Sequence, residues 1–223
     1  PQRHDTGEGV AVRVGQNFPL TIKRLGINGE GIGYFKRKIV FVPGVLPDEV
    51  AVVKVTEVQP KYIAAKVLKI REKSPNRVKP RDEYADEVGG FELEHMTYPA
   101  QLAFKKDVIA QALEKFQPKG WSTYDLRDTI GMANPYEYRN KAQFPVRKIG
   151  DKLSVGMYKR SSHDLVDLPV VNTQDPATMK VLRTVRDLLD KLSVSIYNED
   201  KNRGTVKTIV ARASHTTGDV QLT

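Results

Sequence analysis

The sequence predicts a small β-barrel followed by an α+β region. Short β-rich runs at Pro19–Lys23, Ile39–Val42, Glu49–Val58 and Tyr62–Ile70 are separated by glycine, proline and aspartate, the pattern of a compact closed sheet of about five strands. Four glycines fall between Leu25 and Tyr34, where a barrel strand bends and backbones approach closely. Beyond residue 100 two segments switch to helical periodicity, with further β-rich runs between and after them.

Residues 1–12 are polar and without period, and read as a loose tail. The barrel is expected over residues 13–73. Within its third run Ala51, Val53 and Val55 alternate with Lys54 and Thr56, giving one apolar and one wet face. Pro43–Glu49 carries two prolines and forms a turn-forming insert, and Lys36-Arg37-Lys38 is an exposed basic run beside a strand. Ser74–Arg81 mixes prolines with basic residues and reads as a stiff linker. A helix follows over Ala100–Phe116, with Leu102, Ile109, Leu113 and Phe116 on one face.

Tyr138–Arg147 and Leu153–Tyr158 flank Gly150-Asp151, which predicts a hairpin. Leu165–Val171 is short and apolar. Asp175-Pro176 supplies an N-cap and a first-turn proline for a helix whose buried face is Met179, Leu182, Leu189 and Leu192. Strands resume at Val194–Tyr197 and Lys207–Ala213, and Val220–Thr223 begins another that stops after four residues. Such an ending is expected of a truncated second domain, residues 74–223 being incomplete; a short edge strand is the alternative.

Composition narrows the function classes. With 39 % hydrophobic and 28 % charged residues the chain reads as globular, and no apolar run approaches the ~20 residues that span a bilayer. The first residues lack the apolar core of a secretory signal, so a cytoplasmic protein without a membrane partner is expected. Cysteine is absent, which excludes disulfides, thiolate metal sites and a cysteine nucleophile within these 223 residues. The net charge is +9, and residues 13–73 hold twelve basic against five acidic side chains. A basic barrel favours a polyanionic partner; a merely solvated lysine surface is the bland alternative.

The candidate RNA-contacting residues are Lys36, Arg37, Lys38, Lys61, Arg139, Lys141 and Lys159. Arg139 and Lys141 stand two apart on an expected strand and so share a face from which to reach successive phosphates. Lys159 and Arg160 are adjacent and diverge, so only one joins such a face. Tyr34 and Tyr62 are candidates to stack on unpaired bases beside Lys36 and Lys61, whereas Phe35 reads as core. His95 and His163 stand apart from other ligand-type residues and read as structural. The run Gly26-x-x-Gly29-x-Gly31 opens no strand–turn–helix unit with an acidic residue about 20 further on, so it is no dinucleotide loop.

Gly15-Gln16, the spaced glycines Gly26, Gly29, Gly31 and Gly33, and Val42-Pro43-Gly44 with Pro47-Asp48-Glu49 resemble a TRAM domain, an OB-like RNA-binding barrel. Val88–Met96, Tyr98 and Gln101-Leu102-x-x-Lys105 resemble the region of RNA uracil-C5-methyltransferases where a Cys-Gly-Gly-Cys motif precedes Gln-His. Asn134–Phe144 is similar to that family's Tyr-Arg-x-Lys/Arg segment, and Tyr158–Asp167 to its next signature. The resemblance implies a TRAM domain, a central α+β domain and a C-terminal methyltransferase domain, of which the last is absent here. It implies transfer of a methyl group from S-adenosylmethionine to C5 of a uridine, expected in 23S rRNA, through a cysteine that attacks C6. No catalytic or cofactor-binding residue of that scheme is expected in this chain, which alone should be inactive. Where some members hold an iron–sulfur cluster on cysteines, Asp82, Val88 and Phe91 stand here, so no cluster is expected. The alternative is a free-standing TRAM-type RNA-binding or RNA-chaperone protein.

Overall fold

The computed structural model describes residues 11–223. The first ten residues of the expected tail lie outside the described residues. The chain forms two compact units: one takes the described residues up to Lys79 together with His95–Thr129, the other Pro80–Glu94 and Ile130–Thr223.

The first unit is built on six strands, β1 (Asn17–Thr21), β2 (Arg24–Leu25), β3 (Gly31–Phe35), β4 (Lys38–Val42), β5 (Val50–Val58) and β6 (Tyr62–Glu72). They pair in the order β1-β5-β6-β4-β3-β2, antiparallel except for β4 with β6. The ladder keeps two edges, β1 and β2, where the sequence predicts a closed barrel. Only Ile22 and Lys23 separate these two strands, so they follow one another along the chain instead of pairing. At this bend the Ile22 amide donates to Glu49 O at 2.9 Å and the Lys23 amide to Ile32 O at 2.8 Å, one toward each neighbouring strand.

Alternation fills the interior with Phe18, Leu20, Val40, Val42, Ala51, Val53, Val55 and Ile63, all buried. Phe35 stacks on Phe18 with centroids 3.8 Å apart, in line with its expected core role. Glycine is required at Gly31 and Gly33: a Cβ there would lie 2.4 Å from Val45 Cγ2 and 2.8 Å from Thr21 O respectively.

The linker is fastened by a group that no local pattern reveals. Glu49, fully buried, accepts from Arg77 Nε at 2.6 Å and Arg77 Nη2 at 2.8 Å, and from the amides of Leu46 and Ser74. Arg77 also donates to Gly44 O at 2.7 Å, closing the turn insert onto the linker.

Helix α1 (Tyr98–Phe116) belongs to this unit and has no buried residue. The expected apolar face is therefore not a core face: Ile109 is 50 % and Phe116 73 % exposed. Its ties are largely polar, Arg24 Nη1 donating to Gln111 Oε1 at 2.9 Å and Thr129 Oγ1 to Leu102 O at 2.9 Å.

The second unit has the strands β7 (Lys141–Ile149), β8 (Lys152–Tyr158), β9 (Leu165–Asp167), β10 (Thr208–Ala213) and β11 (Val220–Leu222), and helix α2 (Pro176–Lys191). The sheet runs β11-β10-β7-β8-β9, antiparallel throughout. The expected hairpin is present, Gly150 taking φ 60° at its turn. Asp175 caps α2, its Oδ1 accepting from the Ala177 amide at 2.7 Å. Met179 and Leu182 are buried as expected, but Leu192 follows the last turn and is 69 % exposed. Residues 194–197 form no strand; Ile196 makes a single bridge to Val206.

Val88 and Phe91 sit in the apolar core of this unit with Phe144, Val146 and Val155. Asp82 and Glu94 are buried nearby, and Asp82 Oδ1 accepts from the Asn172 amide at 2.9 Å. Burial, and then the adjacent Asp82 carboxyl, push the Glu94 carboxyl up to about 7. Asp82 Oδ2 and both Glu94 oxygens are buried together in this site.

Candidate nucleic-acid interface

In the second unit β8 changes partner. It pairs with β7 as far as Val155 and with β9 from Gly156 on, leaving Lys141–Pro145 of β7 paired only to β10. Gly156 permits the switch, since a Cβ there would lie 1.8 Å from Val166 O. A cavity of about 840 Å³ borders this free stretch, walled by Phe91, Phe144, Met157 and Tyr158. Tyr138, Arg139, Lys141, Gln143 and Arg160 bring polar groups to it.

The approach to β7 is held rigidly. The Arg139 amide donates to Thr173 O at 3.0 Å, Arg139 O accepts from the Asp175 amide at 2.9 Å, and the Glu137 amide donates to Asn172 O at 2.8 Å. Beneath it the buried Gln174 amide, turned with its nitrogen toward the strand, donates to Lys141 O at 3.1 Å and Arg139 O at 3.2 Å. The backbone carrying Arg139 and Lys141 is thus fixed while both side chains stay exposed.

Charge on this face is uncompensated. Lys141 stands directly opposite Arg212 of β10, and both are exposed. Like charges at paired positions repel. Among the described residues no carboxylate lies within ion-pair distance of Arg139, Lys141 or Arg212, which distinguishes them from Lys159, paired to Glu87 at 3.1 Å.

Arg139 lies before β7, in a single bridge to Gln174, and not on the strand where the sequence places it; it and Lys141, the first residue of β7, both border the cavity, and Arg212 pairs with Lys141. Lys159 lines a different cavity, of about 900 Å³, with Arg147 and His163. Its neighbour Arg160 faces the smaller one, donating to Val88 O at 3.2 Å and Ala85 O at 3.3 Å. In the first unit Lys36 and Arg37 form the β3–β4 turn at φ 46° and 64°, left-handed positions usually given to asparagine and glycine. Lys38 is tied down, its Nζ donating to Gln59 O at 3.3 Å, while Lys61 is exposed. Tyr34 is 54 % exposed, and Tyr62 meets Phe41 edge-on at 5.7 Å. His95 is buried; His163 is exposed, its ring edge-on to Tyr158.

Sequence reasoning misses Arg212, whose signal is the alternation of Ile209, Ala211 and Ala213 with outward Arg212 in β10. It also misses Lys54 and Lys66, exposed and directly paired on β5 and β6.

Among the described residues the strand ladders of the second unit are antiparallel, with single parallel bridges at Arg139–Gln174 and Ile196–Val206, and the parallel strands β4 and β6 of the first unit have no crossover helix between them. The positions that the resemblance aligns with cluster cysteines offer hydrocarbon at Val88 and Phe91, which supplies no donor atoms to iron. Among the described residues no group of three or more histidine, aspartate or glutamate side chains is placed to hold a metal.

Fold and site define a two-unit protein, a basic mixed-sheet module and an α+β module with an uncompensated cationic face. Residues 11–68 match the TRAM domain model. The chain is 60 % identical, over 99 % of its length, to a protein of Lactiplantibacillus plantarum described as an uncharacterized RNA methyltransferase, and covers 46 % of it. It is 48 % identical, over 95 % of its length, to a Bacillus cereus protein of the same description, again covering 46 %. Among solved structures, a Pyrococcus abyssi tRNA (uracil-54, C5)-methyltransferase in complex with S-adenosyl-L-homocysteine shares the fold over 92 % of this chain and 44 % of that one, with a TM-score of 0.63 and 20 % identity. The chain thus carries a TRAM-domain match, is similar along nearly its whole length to proteins described as RNA methyltransferases, and spans about half the length of the curated relatives it matches.

Proposed function

We propose that these 223 residues form the RNA-holding portion of a cytoplasmic, S-adenosylmethionine-dependent RNA uracil-C5-methyltransferase, with 23S rRNA as substrate. The observation that carries the reading is the likeness along nearly the whole chain to RNA methyltransferases, joined to family-like motifs at Asn134–Phe144 and Tyr158–Asp167. The β-rich residues 13–73 grip RNA through Lys36, Arg37, Lys38 and Lys61. The α+β residues 74–223 hold a second stretch through Arg139, Lys141 and Lys159. No cysteine is available here to attack a uracil, so the covalent step falls to residues outside this sequence. These residues bind and orient the strand, which must release the target base from its stack.

Two measurements test this. Deleting the gene should leave one uridine of 23S rRNA without its C5-methyl group, read by mass spectrometry of nuclease fragments. A full complement of methyl groups in rRNA, with one missing from tRNA, would move the substrate to tRNA; none missing anywhere would overturn the methyltransferase reading and favour a free-standing RNA-binding protein. The 223-residue chain should also bind unmodified rRNA fragments, with affinity falling steeply as salt rises.

A further inference from the structure

We infer that the cavity beside β7 in the second unit is a subsite for one unpaired nucleotide of the bound RNA, separate from the residue that is methylated. The inference rests on the RNA reading above and adds a place and a chemistry to it.

The argument begins with what the cavity lacks. Its walls Phe91, Phe144, Met157 and Tyr158 are apolar or aromatic, and its volume of about 840 Å³ exceeds what one side chain of the protein would fill. No strand closes it, because β8 has turned to β9 at Gly156. At its mouth Tyr138 is 49 % exposed and, among the described residues, its hydroxyl has no hydrogen-bond partner. The Gln143 amide is likewise exposed and unpartnered.

A ligand that meets all of these groups needs a flat ring, a polar edge and a nearby negative charge. The ring stacks on Tyr138 or enters between the aromatic walls; the edge exchanges hydrogen bonds with the Gln143 amide. The negative charge sits by Arg139 and Lys141, with Arg212 next along the sheet. A nucleotide in a single strand has this set of features. A paired nucleotide does not, because its ring is stacked and its edge occupied. An acidic side chain would satisfy the cations but brings no flat ring with a hydrogen-bonding edge to the aromatic walls.

The experiment compares an RNA hairpin carrying an unpaired purine loop with a duplex of the same length and charge, by fluorescence anisotropy with the intact 223-residue chain. The hairpin should bind about tenfold more tightly, the worth of one stacked base. In the Tyr138→Ala/Gln143→Ala double variant the preference should vanish, the hairpin binding no better than the duplex. Both side chains are exposed, and circular dichroism checks that the fold is retained. As a second readout, a photoreactive 6-thioguanosine in the loop should crosslink to the peptide spanning residues 138–147. Equal binding of hairpin and duplex by the unaltered chain, a preference that survives the double variant, or a crosslink confined to other peptides would overturn the subsite. Failure to bind either RNA in low salt would instead sink the RNA reading itself, so the two failures are distinguishable.

Discussion

Glu49 and Glu94 are both buried carboxyl groups, and their surroundings drive them in opposite directions. Burial raises the Glu49 pKa, but Arg77 and the amides of Leu46 and Ser74 outweigh it and hold the carboxyl below its ordinary range. Its contribution to stability is present above the unfolded value near 4.5 and is lost as pH falls through the lower folded value. Arg77→Ala would leave that charge buried and unpaired. A loss of about 3–5 kcal/mol is expected, read as a lower urea midpoint with the slope unchanged. Glu94 has the reverse sign. Between pH 4.5 and about 7 the unfolded chain releases this proton while the folded chain keeps it, so stability falls as pH rises through the window. Glu94→Gln should flatten that decline in urea titrations taken at successive pH values.

Among the elements, β8 decides most, because its change of partner opens the cavity beside β7. Gly156→Ala would place a methyl group against the Val166 carbonyl, a backbone atom that cannot swing away. A destabilisation of about 3 kcal/mol or more is expected, seen as a drop in thermal midpoint and loss of near-ultraviolet dichroism. Helix α2 was legible because Asp175-Pro176 and the spacing of Met179 and Leu182 point to one answer, and the structure agrees. Helix α1 was legible as a helix but not in its burial, since periodicity reports which residues share a face and not whether anything covers that face. The β3–β4 turn keeps Lys36 and Arg37 in left-handed conformations, a local cost that a polar tip with asparagine and glycine would avoid.

At the scale of the whole molecule the charge distribution is what the proposed RNA contact depends on. If Lys141 and Arg212 meet phosphate, replacing either by alanine should weaken binding to all RNA sequences alike and reduce the slope of log affinity against log salt by about one. An unchanged slope in both variants would take phosphate contact away from this face. The sequence by itself determined the β-rich first region, the 141–158 hairpin, the capped second helix, the absence of any thiol and the excess of positive charge, because each depends on residues close together in the chain. Only the tertiary structure decided that Arg77 neutralises Glu49, that Asp82 and Glu94 share one site, and that Arg212 stands against Lys141. Those partners are separated by 28, 12 and 71 residues, and no local pattern specifies which distant strand or turn will bring opposite or like charges face to face.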